Sequence, residues 1–204
     1  MITIIDYGVG NINAFYNIFK TLGVEVSIAR NSNDILNSKK LILPGVGHFD
    51  YAMNKFNESG MVESVTDLVM SKSVPVLGIC VGMQMLATCS EEGKLPGLNW
   101  INADVKKIDS SLLTQTTRLP HMGWNDILVD NNNPLFHNLK EAPRYYFLHS
   151  YYFNCKNNDD TIATSIYGNK FTCAVNHKNI YGVQFHPEKS HHFGIKLLKN
   201  FANL

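Results

Sequence analysis

Residues 74–79, VPVLGI, contain no charged or hydrogen-bonding side chain, and the run then turns into Cys80-Val-Gly82-Met-Gln84. A short continuous apolar run of this kind reads as a strand buried on both faces, the usual state of a strand inside a parallel sheet. The surrounding chain agrees. Residues 3–7 form a β-rich run, and Gly8-Val-Gly10 separates it from a helical pattern over 11–22 that Gly23 stops. Strands are expected at 24–30 and at 40–43, the second cut by Pro44-Gly45-Val46-Gly47. Residues 51–72 read as helical with a break at Ser59-Gly60, and Met83 to Thr88 opens another helix. Strand–helix alternation predicts an α/β fold with a mostly parallel central sheet and helices on both faces.

The second half has a different texture. Short strands are expected at 104–108, 124–129, 145–153, 162–167, 170–176 and 181–185, with hairpin tips at 167–170 and 177–179. They predict antiparallel strands added to the sheet. The Asn-rich pieces 130–133 and 157–160 read as solvated loops, and 191–204 as a closing amphipathic helix. There is no repeat and no Pro/Ser linker. A chain of 204 residues, 45% hydrophobic and 17% charged, is therefore expected to form one domain over 1–204.

Charge and cysteine usage narrow the function class. A formal net charge of +1 gives no electrostatic reason to expect nucleic acid or an acidic membrane as partner. The start, MITIIDYGVG, has neither a basic segment nor a long apolar one, and no apolar run approaches the ~20 residues of a membrane span. Cys80, Cys89, Cys155 and Cys173 lack C-x-x-C spacing, so neither a disulfide framework nor a zinc site is expected. A reduced, cytoplasmic protein without metal or cofactor is the expectation.

The cysteine in GICVGMQ is framed by Gly78 and Gly82. A buried strand that turns sharply into a helix presents one side chain at the tip, and small residues two positions to either side let the backbone fold tightly around it. The helix start favours the thiolate, and the Val81 N–H points to where an oxyanion would form. A small buried cysteine is the plain alternative; the G-x-C-x-G frame after an apolar strand favours the nucleophile. A thiolate needs a histidine. Of eight, His191 and His192 read as solvated residues at a helix start, and His137 lies in a polar loop. His186 stands in GVQFHPEKS, after a strand, with Pro187 fixing the backbone and Glu188 two residues on. That carboxylate can hold one ring nitrogen while the other faces the thiol, as a triad requires. The alternative is a capping pair for the last helix.

Together, Cys80 in GICVGMQ with His186 and Glu188 in FHPE resemble the class I (triad) glutamine amidotransferase family, over essentially the whole chain. The resemblance implies that family's flavodoxin-like fold. The Pro44-Gly45-Val46-Gly47 loop, DYGVGN at 6–11 and PHMGWN at 120–125 are similar to the glutaminase subunits of histidine biosynthesis within it. It implies L-glutamine as substrate, with an oxyanion held by Val81 and the loop Gly45, Val46 and Gly47. Gln84 matches a residue that holds the substrate, and Glu92 the carboxylate that meets the glutamine amino group. Tyr146, His149 and Ser150 match positions near the substrate's amino-acid end, although an aromatic strand equally reads as core.

The family hydrolyses glutamine to glutamate and ammonia, and no P-loop or dinucleotide fingerprint in the 204 residues offers an acceptor. The resemblance implies a heterodimer with a (β/α)8-barrel cyclase. That partner uses the ammonia to form imidazole glycerol phosphate and an aminoimidazole carboxamide ribonucleotide. By the match Asn11, Met122, Trp124 and Lys189 would lie at the interface; Trp124 reads as readily as a core strand residue. His48 and Ser190-His-His-Phe193 depart from the subfamily pattern. Paralogues that feed a surface-sugar amination or amidination enzyme are the alternative. A non-catalytic regulatory role is disfavoured by the intact Cys80, Gln84, His186 and Glu188.

Overall fold

The computed structural model describes residues 1–113, 118–130, 132–139 and 142–204. The first half runs β1 (Ile2–Ile5), α1 (Ile12–Thr21), β2 (Val26–Ala29), α2 (Ser32–Ile35), β3 (Lys40–Gly45), α3 (Phe49–Glu58), α4 (Val62–Thr66), β4 (Val76–Cys80) and α5 (Val81–Gln84). The second runs β5 (Cys89–Ser90), β6 (Ala103–Lys107), β7 (His121–Asp126), β8 (Leu128–Val129), β9 (Arg144–His149), β10 (Tyr151–Cys155), β11 (Thr161–Tyr167), β12 (Asn169–His177), β13 (Ile180–Val183) and α6 (His191–Asn203).

Five strands, in the order β2-β1-β3-β4-β13, are parallel. All of β4 is buried, as its composition requires. Beyond β13 the sheet continues antiparallel through β12, β10 and β6, with β5 parallel to β6 at the edge, while β11 and β8 branch from β12. The chain moves from β1 outward to β2, then back past β1 to β3. Right-handed crossovers in opposite directions place α1 on one face and α2 to α5 on the other. Accordingly α1 packs on α6, whereas α2 meets α4 and α3 meets α5. Because β13 runs parallel to β4, the residues that follow each strand emerge at the same end of the sheet. A separate antiparallel ribbon, β7-β9, is bridged to that end through Tyr146 and His186.

Several expectations are corrected. The helix expected over 83–88 is the single turn of α5. The carbonyls of Met85, Leu86 and Ala87 accept from the N–H groups of residues 98–101, which leaves them unable to continue a helix. The strand expected over 145–153 is two strands. β9 pairs with β7 and β10 with β6 and β12, and at the break the Ser150 carbonyl accepts from Ile108. The run 124–129 likewise divides into β7 and β8, and 51–72 ends in a π-helical turn, Asp67–Ser71. The Asn-rich pieces are not wholly solvated. Asn133 and Asp160 are buried, the first bonded to Leu135 and Asn176, the second to His177 at 2.9 Å. Residue 131 lies outside the described residues.

At the turn from β4 into α5, backbones touch. A Cβ on Gly82 would sit 2.0 Å from the Leu43 carbonyl oxygen, and one on Gly78 would sit 2.7 Å from that of Gly82. The glycine frame around Cys80 is thus a requirement of space. Replacing Gly82 by Ala is expected to cost about 3 kcal/mol or more, at the upper end of overpacking effects, read as a lowered urea midpoint with unchanged slope.

Candidate active site

Cys80 closes β4 with φ of 55°, in the left-handed region that side chains with a Cβ seldom adopt. Such a residue costs of the order of 1–3 kcal/mol and persists only where its surroundings hold it. Here the packed glycines do so. The next N–H, that of Val81, occupies the first helical position, where no intrahelical acceptor exists. Cys80 is nearly buried, at the floor of a cavity of about 400 Å³ with Val81 and Gln84. One wall is Val46 and Gly47, and the segment Leu148 to Tyr151 forms another.

His186 enters from the end of β13. Its Nδ1–H donates to Glu188 Oε1 at 2.9 Å, which leaves Nε2 for the sulfur. The backbone around it is clamped. The His186 N–H donates to the Tyr146 carbonyl at 2.8 Å, and Ser190 Oγ donates to the His186 carbonyl at 2.6 Å. Burial works to lower the His186 pKa, but the Cys80 sulfur and Glu188, through hydrogen bonds and charge, outweigh it and raise the value. The Glu188 side chain is 2% exposed, and its Oε2 has no hydrogen-bond partner among the described residues. A buried carboxylate with one oxygen committed to the ring holds it in one tautomer.

The loop Pro44 to Gly47 is fastened at both ends. The Tyr7 hydroxyl donates to the Pro44 carbonyl at 2.6 Å, and Glu92 Oε2 accepts from the Phe49 N–H at 2.8 Å. His48 Nδ1 accepts from Asp50 N at 3.2 Å and so caps α3. Asp50 in turn accepts from the N–H groups of Lys94 and Leu95, which pins the Glu92 loop against the same helix start. Between these anchors Val46 is exposed and Gly47 has φ of +85°, a conformation suited to glycine.

Most of the residues expected at the site converge. Val46, Gly47, Cys80, Val81, Gln84 and Glu92 line the cavity, and so do His149, Ser150, His186 and Lys189. Gly45 lies beneath, 2.3 Å from the Gly82 nitrogen by its would-be Cβ, and Glu188 sits behind His186. Tyr146 does not line the cavity; its ring lies under the Lys189 ammonium, 5.6 Å from centroid to Nζ. Outside, Met122 is 63% and Trp124 40% exposed, so Trp124 is no core residue. It stacks on His191 at 5.2 Å, which gives one of the unusual histidines a contact. Asn11, at the N-cap of α1, is exposed and makes no capping bond.

A family model described as glutamine amidotransferase class-I matches residues 3–203. The chain belongs to the class-I glutamine amidotransferase family. It is 51% identical to imidazole glycerol phosphate synthase subunit HisH of Leptospira interrogans and 52% identical to that of Bdellovibrio bacteriovorus, each over 100% of both chains. Subunit HisH 2 of Pseudomonas aeruginosa is 46% identical, again over both full lengths. Among solved structures, a putative GMP synthase protein from Thermoplasma acidophilum aligns with TM-score 0.73 at 23% identity, covering 99% of this chain and 92% of that one. Another, described as a glutamine amidotransferase, aligns at 0.75 and 19% identity over 100% and 99%. At those identities the likeness is one of fold.

Several residues that hold this cavity in place carry no signal of their own in the sequence. Tyr7 was visible only as part of DYGVGN. His121, in PHMGWN, donates from Nδ1 to His149 Nε2 at 2.9 Å, since His149 Nδ1–H is committed to the Tyr151 carbonyl at 2.8 Å. Both His149 nitrogens are therefore engaged within the protein. Burial pushes the His121 pKa down to about 4, and burial with neighbouring His121 pushes that of His149 down to about 3. The sign follows. Above the unfolded value of ~6.5 neither state is protonated, and below it the unfolded chain takes up protons that the native one refuses. These two histidines therefore withdraw stability as pH falls from 6.5 towards 4, by ~2 kcal/mol each between pH 7 and 5, against a smaller opposite contribution from His186, whose pKa is raised. Urea midpoints at the two pH values check this, and His121→Gln is expected to flatten the dependence.

Proposed function

We propose that the chain is the glutaminase subunit of an imidazole glycerol phosphate synthase, acting in histidine biosynthesis in the cytoplasm. The observation that carries the reading is the Cys80–His186–Glu188 constellation at a strained elbow, set in a chain about half identical to HisH subunits. Glutamine enters the cavity with its ammonium towards Glu92 and its amino-acid end beside Ser150. His186 takes the Cys80 proton, and the sulfur attacks the side-chain carboxamide carbon. The oxyanion is received by the Val81 N–H and by the Gly45–Gly47 loop, whose donor is presented when the peptide at Val46 turns. His186 returns the proton to the departing ammonia and then activates water to hydrolyse the thioester, releasing glutamate.

Ammonia released to water near neutral pH would be protonated and lost as a nucleophile, so an acceptor must cover the cavity. Exposed residues near the cavity support a docked protein: Met122 and Trp124 are exposed, the Trp124 ring meets the Tyr146 ring edge-on, Tyr146 lies under Lys189, and Asn11 is exposed at the same end of the sheet. Aromatic side chains in such a position are common anchors. A (β/α)8-barrel cyclase is the proposed partner. No helix among the described residues is long and apolar enough to cross a membrane.

Glutamate release is expected to be low for the chain alone. With the host's barrel cyclase and that enzyme's nucleotide ligand it is expected to rise about 10²-fold or more, the size of effect one oxyanion donor provides. Cys80→Ala is expected to abolish it. No rise with the cyclase from a folded chain would overturn the partner assignment in favour of a sugar-modifying acceptor. Glutamate release surviving in Cys80→Ala would overturn the mechanism.

A further inference from the structure

A chain of hydrogen bonds behind the cavity has its polarity fixed by one group. The Tyr151 carbonyl can only accept. Gln84 Nε2 lies 3.2 Å from it, so the Gln84 nitrogen faces that way. The same nitrogen lies 3.0 Å from Gln184 Oε1. Gln184 must present its oxygen there and turn its own nitrogen the other way. That nitrogen lies 3.8 Å from Cys80 Sγ. Gln184 is fully buried, immediately after β13 and two residues before His186. Two amides in series thus deliver a donor, not an acceptor, to the sulfur.

We propose that Gln184 is a further functional residue, donating an N–H to the Cys80 sulfur when it carries negative charge, with its orientation dictated by the Tyr151 carbonyl through Gln84. The proposal rests on Cys80 being the nucleophile. A donor to a charged sulfur in a dry site is strengthened relative to the neutral thiol. The neutral thiol has its own outlet, the Leu148 carbonyl at 3.9 Å. The two partners serve the two protonation states.

Gln184→Glu and Gln184→Met separate this role from packing. Glutamate keeps the shape and the acceptor for Gln84 but replaces the donor at the sulfur with an oxygen. Methionine keeps the size and loses both. Alkylation of Cys80 by iodoacetamide at fixed pH, followed on the Cys80 peptide by mass spectrometry, needs no glutamine and no partner. It therefore reports on Gln184 even if the proposed pathway is wrong. Both variants are expected to alkylate about tenfold more slowly than the wild type, with Gln184→Glu the slower. In glutamate release kcat is expected to fall by a similar factor while KM for glutamine stays within about twofold. A wild-type rate in Gln184→Glu with a slow Gln184→Met would mean that Gln184 only holds Gln84, and the proposal fails. Wild-type rates in both also overturn it. Thermal melting verifies folding. If neither variant folds, Gln184→Asn, which withdraws the amide from the sulfur, is read the same way: slowed alkylation is expected, and a wild-type rate overturns the proposal.

Discussion

The Leu43 carbonyl lies against the backbone of Gly82, and the chemistry of the chain depends on that contact. It joins the end of β3 to the first turn of α5, so that Cys80, the last residue of β4, is held where its φ of 55° is tolerated. The cost of the strained residue is offset by burial of β3, β4 and β13 on both faces. Any Cβ at this junction would separate the two segments and release the elbow. Cys80 is thus positioned by absence of side chains, while His186 is positioned by backbone and hydroxyl hydrogen bonds shared with Tyr146 and Ser190.

Much of this was legible in the sequence, for a physical reason. The apolar run, the glycine frame and His-Pro-Glu are local signals, each set by residues within a few positions of one another. What stayed hidden depends on distant partners. Nothing near Met85 tells that Leu98 will occupy its carbonyl, and residues 99–101 those of Leu86 and Ala87, and so stop the helix. His121 and His149 stand 28 residues apart and meet only because β7 pairs with β9. Asn133 and Asp160 look like loop residues until Asn176 and His177 arrive to satisfy them. Gln184 reads as an ordinary polar residue in an apolar strand, and only the placement of Gln84 shows why an amide is there.

The ribbon β7-β9 connects the exterior to this interior. Its outward residues, Met122 and Trp124, are exposed at the rim, and His121 in the same strand reaches His149 in the cavity wall. Asn125 continues the series, its Nδ2 donating to His121 Nε2 at 3.3 Å and to the Ile166 carbonyl at 2.9 Å. The strand that carries Met122 and Trp124 therefore also carries the donor to His149, whose other nitrogen shares the Tyr151 carbonyl with Gln84.

Glu92 lines the cavity and has one carboxylate. It already accepts from the Phe49 N–H, two residues past the Val46–Gly47 segment. If the ammonium of glutamine is its second ligand, occupancy and loop order are thermodynamically linked, and the linkage is reciprocal. Whatever factor the ammonium adds to the persistence of the Glu92–Phe49 bond, an ordered loop adds to the affinity for glutamine. Anything outside the cavity that fixes the loop then alters substrate retention by the same ratio, without touching the substrate.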